Sequence, residues 1–348
     1  MSKERSRSRS RSKNKINSYG QALDSNGRTR TVRQSIEKLK QIRPNVVIDI
    51  EYIRHGTYHD GKRLGDKISE CDIYIPESVG WTEQSLQNKR AIAQRRRMPF
   101  MFTSDSMNRF KKGENRALFG SKKAVTYVDF TEEQASKLPE SEDPFKWLFK
   151  YNVSFDEALN FIHNYAKTNA KKDKQRENTI LRNLPDRIQE VIDQTESLQQ
   201  KDALRVFLWQ GAMHTRVYQF LKRNFKDIRR GFPYMPYVYS HYHELQRREL
   251  FNKKAEREHV AKALFEIIVT PLFRYQYQKN PQQTVAKIRT LVNSYSLADI
   301  ESLYNQAISS GSGPWGIKDL VEDKLRCSDI ELKPDKAHKT VLAWANAR

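Results

Sequence analysis

The stretch VVIDIEYIRHGTYHDG, Val46 to Gly61, decides how the chain is read. Its first half, Asn45 to Ile53, is rich in β-branched residues and predicts a buried strand. It runs into a short polar segment holding two histidines, His55 and His59. Working outward, SIEKLKQIRPN places Ile36, Leu39 and Ile42 on one side of a helix that Pro44 ends. On the other flank GKRLGDKISE, with Leu64 and Ile68 four apart, predicts a helix, and CDIYIPE a second strand ending at Glu77. Strand, helix and strand in this space read as a βαβ unit, which requires a parallel pair and a right-handed crossover. Ligands of such sheets gather at the carboxyl ends of the strands, where His59 and Glu77 both fall.

Further along, Thr82 to Arg97 predicts a very basic helix, and MPFMFTS and AVTYVDF predict short strands. Thr131 to Lys137 can start another helix, and Asp143 to Asp193 is mostly helical, with Ser154 and Glu157 as a capping box. His163 reads as an exposed or half-buried helix residue. Leu204 to Trp209 predicts a strand, Gly211 permits a tight turn, and from His214 onward Val217, Phe220 and Leu221 follow helical spacing. A second histidine therefore sits at a strand-to-helix junction. The fold class is α/β: a mostly parallel central sheet flanked by helices in residues 31–230, then a helical C-terminal appendage in residues 231–348.

Composition bounds the function. The 348 residues carry a net charge of +21, with 37% apolar residues, sixteen Phe and sixteen Tyr, enough for a substantial core. Met1 to Arg43 holds thirteen Lys or Arg against three acids, so about half of the excess lies in the leading segment. The Arg/Ser run in residues 1–30 has little apolar surface to offset chain entropy and is expected to be disordered. Such a tail either binds RNA or another polyanion without sequence specificity, by counterion release, or is merely solvated. Cys71 and Cys327 supply neither a disulfide framework nor a zinc motif, which points to a reducing, cytoplasmic setting. The longest apolar run, ALFEIIV from Ala263, is too short to span a bilayer, and no membrane association is expected.

Four short motifs stand in order: GTYH after the first strand, the acid closing DIYIPE, RENTIL on a helix, and GAMH after a late strand. Together, from Val46 to Phe225, they resemble the TraB/TIKI superfamily, which also takes in ChaN-like proteins and erythromycin esterases. The resemblance implies a hydrolase acting on a peptide or ester bond, with His59, Glu77, Arg176 and His214 as catalytic residues at one sheet edge. It also implies Gly56, Thr57, Asn178 and Gly211 as substrate-binding positions. Glu177 stands between Arg176 and Asn178, residues that are often adjacent in the family, which leaves open which of them points inward.

Chemistry gives the set its own rationale. His59, Glu77 and His214 could hold one divalent ion, manganese, zinc or iron. Without a metal, a histidine beside a carboxylate serves as general base toward water, and Arg176 stabilises oxyanion charge.

Two other readings compete. Arg54-His55-Gly56 after a strand also fits a histidine phosphatase, but the partner histidine there is usually followed by Gly or Asp, whereas Thr215 follows His214. A non-catalytic binding protein on the same scaffold is the other. His241 and His243 are two apart and do not share a helical face, so they read as the polar start of a helix. RGFPYMPYVYSHY reads as an ordered aromatic connection, and SSGSGPWG as a break near Gly311.

Overall fold

In the computed structural model, residues 29–53, 58–96, 106–140, 142–150, 153–231, 238–273, 281–312, 316–317 and 319–321 are described. The Arg/Ser tail in residues 1–28, residues 54–57 with Gly56 and Thr57, all of MPFMFTS, and residues 232–237 lie outside them. For residues 58–63, His59 included, the description covers the backbone alone.

In chain order the elements are α1 (Val32–Gln41), β1 (Asn45–Ile53), α2 (Tyr58–Glu70), β2 (Ile73–Ile75), α3 (Glu83–Ala93), α4 (Ser106–Leu118) and β3 (Ala124–Val125). Then come α5 (Glu132–Ser136), α6 (Pro144–Lys150), α7 (Phe155–Gln194), α8 (Glu196–Gln199), β4 (Ala203–Gly211), α9 (Thr215–Asn224) and β5 (Ile228–Gly231). The chain continues through α10 (His241–Leu250), α11 (Arg257–Val269), α12 (Pro281–Asn293) and α13 (Leu297–Ser309). Thr31, Thr82, Thr131 and Ser154 each close a reciprocal capping box at the start of their helices.

The five strands form one sheet in the order β3-β2-β4-β1-β5, every pair parallel. The fold is α/β with flanking helices, and a helical C-terminal region follows it. One detail departs from the sequence reading: β1 and β2 share the sheet but do not pair. β4 lies between them, matched to β1 from Asn45 opposite Ala203 to Ile53 opposite Gly211, and to β2 through Ile73, Tyr74 and Ile75. The hydrophobic pattern explains why β4 takes the centre. Leu204, Val206 and Leu208 point to one face and Phe207 and Trp209 to the other, so the strand is apolar on both sides.

On the first face, Ile36 and Leu39 of α1 and Ile180, Leu184 and Ile188 of α7 pack against Val46, Ile48 and Ile50. On the second, Leu64 and Ile68 of α2 and Leu118 of α4 cover Tyr74 and Phe207, whose rings stack at 5.6 Å. A third core lies in the helical region, where Val260, Leu264, Phe265 and Ile268 of α11 meet Ile288, Ile300 and Tyr304. It also takes Phe155, Leu159 and Ile162 from the first half of α7. The helical core therefore draws on residues both before and after position 230, and the single long helix α7 ties it to the sheet. Among the described residues no helix is long and apolar enough to cross a membrane.

Candidate functional site

Because all strands run the same way, the residues that follow them emerge at one edge of the sheet. Glu77 comes two residues after β2, Asp129 four after β3, and His214 three after β4, at the cap of α9. The first turn of α2, which carries His59, follows β1, the strand beside β4. Helix α7 crosses this edge and delivers Arg176.

Arg176 is the hub. Its Nη2 donates to Glu77 Oε1 and to Asp129 Oδ2, each at 2.5 Å, and its Nε to both Asp129 oxygens at 2.9 Å. Its Nη1 lies 2.7 Å from His214 Nε2. The other Glu77 oxygen accepts the backbone N–H of Gly211. Asp129 is itself pinned, since Trp81 Nε1 donates to its carbonyl at 2.8 Å and Asn183 to the carbonyl of Val128 at 3.1 Å. Burial opposes the charge on Arg176, but the Glu77 and Asp129 carboxylates outweigh it and raise its pKa.

His214 is buried, with Tyr52 donating its hydroxyl to the His214 carbonyl at 3.1 Å. Its Nε2 lies 3.4 Å from Glu77 Oε1, and its Nδ1 3.7 Å from Glu177 Oε1. The second distance exceeds a hydrogen bond, and both atoms are buried without a partner among the described residues. Burial and the Arg176 guanidinium push the His214 pKa down, yet Glu177 and Glu77 together carry it up to about 10. The two carboxylates thus favour a protonated ring, while the Arg176 contact favours a neutral one. Burial raises the Asp173 carboxyl, which sits one turn before Arg176 and accepts from Gln246 Nε2 at 2.6 Å.

Three residues expected from separate motifs, Glu77, Arg176 and His214, therefore meet in one hydrogen-bonded cluster. Of the pair left open by the sequence, Arg176 points into it; Asn178 stands beside it, accepting from Arg216 Nη1 at 3.0 Å. Gly211 ends β4, gives its N–H to Glu77, and accepts the His214 N–H at its carbonyl at 3.0 Å, closing the tight turn expected there. His163 is half-buried and bonds Glu249 Oε1 at 2.8 Å, while His241 opens α10 as a buried, structural residue.

Sequence reasoning missed Asp129 and Glu177. Asp129 carried the same signal as Glu77, an acid just past a strand, in AVTYVDF. Glu177 reads in sequence as an interruption of a motif, but it is fully buried beneath the His214 ring.

Of the expected metal ligands, His59 has no described side chain, and the other two are engaged with protein groups. Both Glu77 oxygens are taken by Arg176 and Gly211, and a guanidinium stands at His214 Nε2 where a cation would bind. Among the described residues no group of three His, Cys, Asp or Glu is placed to hold a metal ion. Arg176 is likewise spent on Glu77, Asp129 and His214, which makes it a positioning group more than a free oxyanion donor. No protein-family model, curated protein or solved structure matches the chain.

Proposed function

We propose that the chain is a metal-independent hydrolase of the TraB/TIKI type, cleaving a peptide or ester bond. The observation that carries this reading is the Glu77–Arg176–His214 cluster, assembled from three motifs that are far apart in sequence. His59, on the first turn after β1, acts as the neutral base that takes a proton from water as it attacks the carbonyl carbon. His214, with its raised pKa, is the proton donor to the developing oxyanion or the leaving group. Glu77 and Asp129 hold Arg176 in place, and Arg176 and Glu77 orient His214.

The surroundings favour a neutral carbonyl over a phosphoester. Glu77, Asp129 and Glu177 already engage Arg176 and Arg216, so the cluster offers a phosphate dianion no uncompensated cation among the described residues.

The test is hydrolysis of a panel of p-nitrophenyl esters, short peptides and p-nitrophenyl phosphate. Ester or peptide turnover should fall by about 100-fold or more in His59→Ala and His214→Gln, with circular dichroism unchanged. Full activity in both variants, or turnover of the phosphate alone, overturns the proposal.

A further inference from the structure

Beside this cluster, a half-open cleft of about 420 Å³ lies between α9, α7 and the turn that ends α10. That volume falls in the range of small-molecule sites, roughly 300–1,000 Å³. One wall is a helical stripe of α9, Arg216, Phe220 and Arg223, at i, i+4 and i+7. Opposite stand Lys174 of α7 and, past α10, Phe251 and Asn252. Among the described residues no carboxylate lines the cleft.

The charges are not equivalent. Arg216 is turned toward the interior, where Nη1 meets Asn178 Oδ1 at 3.0 Å and Glu177 Oε2 at 3.4 Å. Lys174 and Arg223 are exposed and have no ion pair among the described residues. Arg216 and Arg223 lie two turns apart, about 10 Å along the helix, with the half-buried ring of Phe220 between them and that of Phe251 across the gap. Uncompensated cations at the mouth and aromatic walls within suit a ligand with a phosphate at one end and a planar ring at the other.

We infer that this cleft binds a nucleotide, its phosphate held by Arg223 and Lys174 and its base against Phe220 and Phe251. A guanidinium matches phosphate oxygens in a bidentate fork, and an aromatic face accepts any base, so the site selects the class more strongly than the base. The cleft adjoins the cluster through the Arg216–Glu177 pair, but none of the proposed hydrolytic residues lines it and the inference does not depend on that reading.

The test is calorimetry on the full chain with adenosine 5′-monophosphate, adenosine and inorganic phosphate as probes. The nucleotide should bind about tenfold or more tightly than either half, because each half forfeits the other's contacts. Arg223→Glu and Phe251→Ala should each weaken nucleotide binding by about tenfold or more, without changing the thermal midpoint. Both variants keep the basic tail, so a loss localises binding to the cleft. Equal binding of nucleotide and inorganic phosphate, unchanged affinity in Arg223→Glu, or no binding of the nucleotide at millimolar concentration overturns the inference.

Discussion

Arg176 Nη1 lies 2.7 Å from His214 Nε2, a contact in which arginine can only donate and the imidazole must accept. The same Nε2 lies 3.4 Å from a Glu77 oxygen, which could only receive a proton from it. Two incompatible demands meet at one atom. Protonation of His214 therefore requires Arg176 Nη1 to give way and Nε2 to turn to Glu77, so the ring's titration and the guanidinium's position are coupled.

This coupling sets the pH response. The His214 pKa is raised from 6.5 to about 10, because Glu177 and Glu77 outweigh burial and Arg176. A raised pKa stabilises the fold fully below the unfolded value of 6.5, and the contribution is lost as pH climbs toward 10. Urea unfolding midpoints should fall over that window in the native chain, and His214→Gln should flatten the fall. A parallel slope in the two proteins would show that His214 does not carry it.

Arg176→Met leaves Glu77 and Asp129 buried without their cation. Breaking such a pair costs about 3–5 kcal/mol, and denaturant unfolding should show a loss of that order. Arg176→Lys keeps the charge but not the fork to Asp129, so its loss should be smaller. If Arg176→Met unfolds at the native midpoint, the cluster is not what holds this edge.

The two histidines of the opening stretch separate by mutation. His59→Ala should abolish hydrolysis, and His55→Ala should reduce it less. Mass spectrometry after incubation with a phosphoester should find no phosphohistidine at His55; a stable adduct there would reverse the assignment.

Exhaustive dialysis against a chelator should leave turnover and the thermal midpoint unchanged, since Arg176 and Gly211 already satisfy Glu77. Activity lost to the chelator and restored by manganese, zinc or iron would show that Arg176 yields its place to an ion.

Deleting Met1 to Lys15 removes seven basic residues from the chain. Filter binding to RNA across a salt series should weaken and its salt slope flatten, with the fold unchanged, because counterion-releasing contacts are lost. An unaltered slope would place polyanion binding elsewhere, on surfaces such as Arg95 and Arg96.

Much of the architecture was legible because apolar periodicity survives in the chain. Asn45 to Ile53, Thr131 to Lys137 and the capping box at Ser154 stand where spacing and cap chemistry put them. Strand order was not legible. Periodicity reports that a segment is a strand but not its neighbour, and nothing local announces that β4 enters between β1 and β2. At the site, Glu77 and His214 were visible as polar residues ending apolar runs. Asp129 obeyed the same rule and was passed over. Glu177 was invisible for a different reason: its role comes from facing a ring on α9's cap, a relation between distant segments that no helical spacing encodes.

The central position of β4 also orders events in time. Synthesis from the N-terminus releases Val46, Ile48 and Ile50 long before Leu204, Val206 and Leu208 exist to pair with them. The emerging chain must carry an unpaired apolar ribbon while the roughly 150 residues between β1 and β4 are made, a state open to aggregation. Helix α1 and the second half of α7 can shield one side of that ribbon, but its hydrogen-bonding edges close only when β4 arrives on one flank and β5 on the other. The Glu77–Arg176–His214 cluster cannot form earlier, so a nascent chain halted before Gly211 lacks that cluster as well as its central strand.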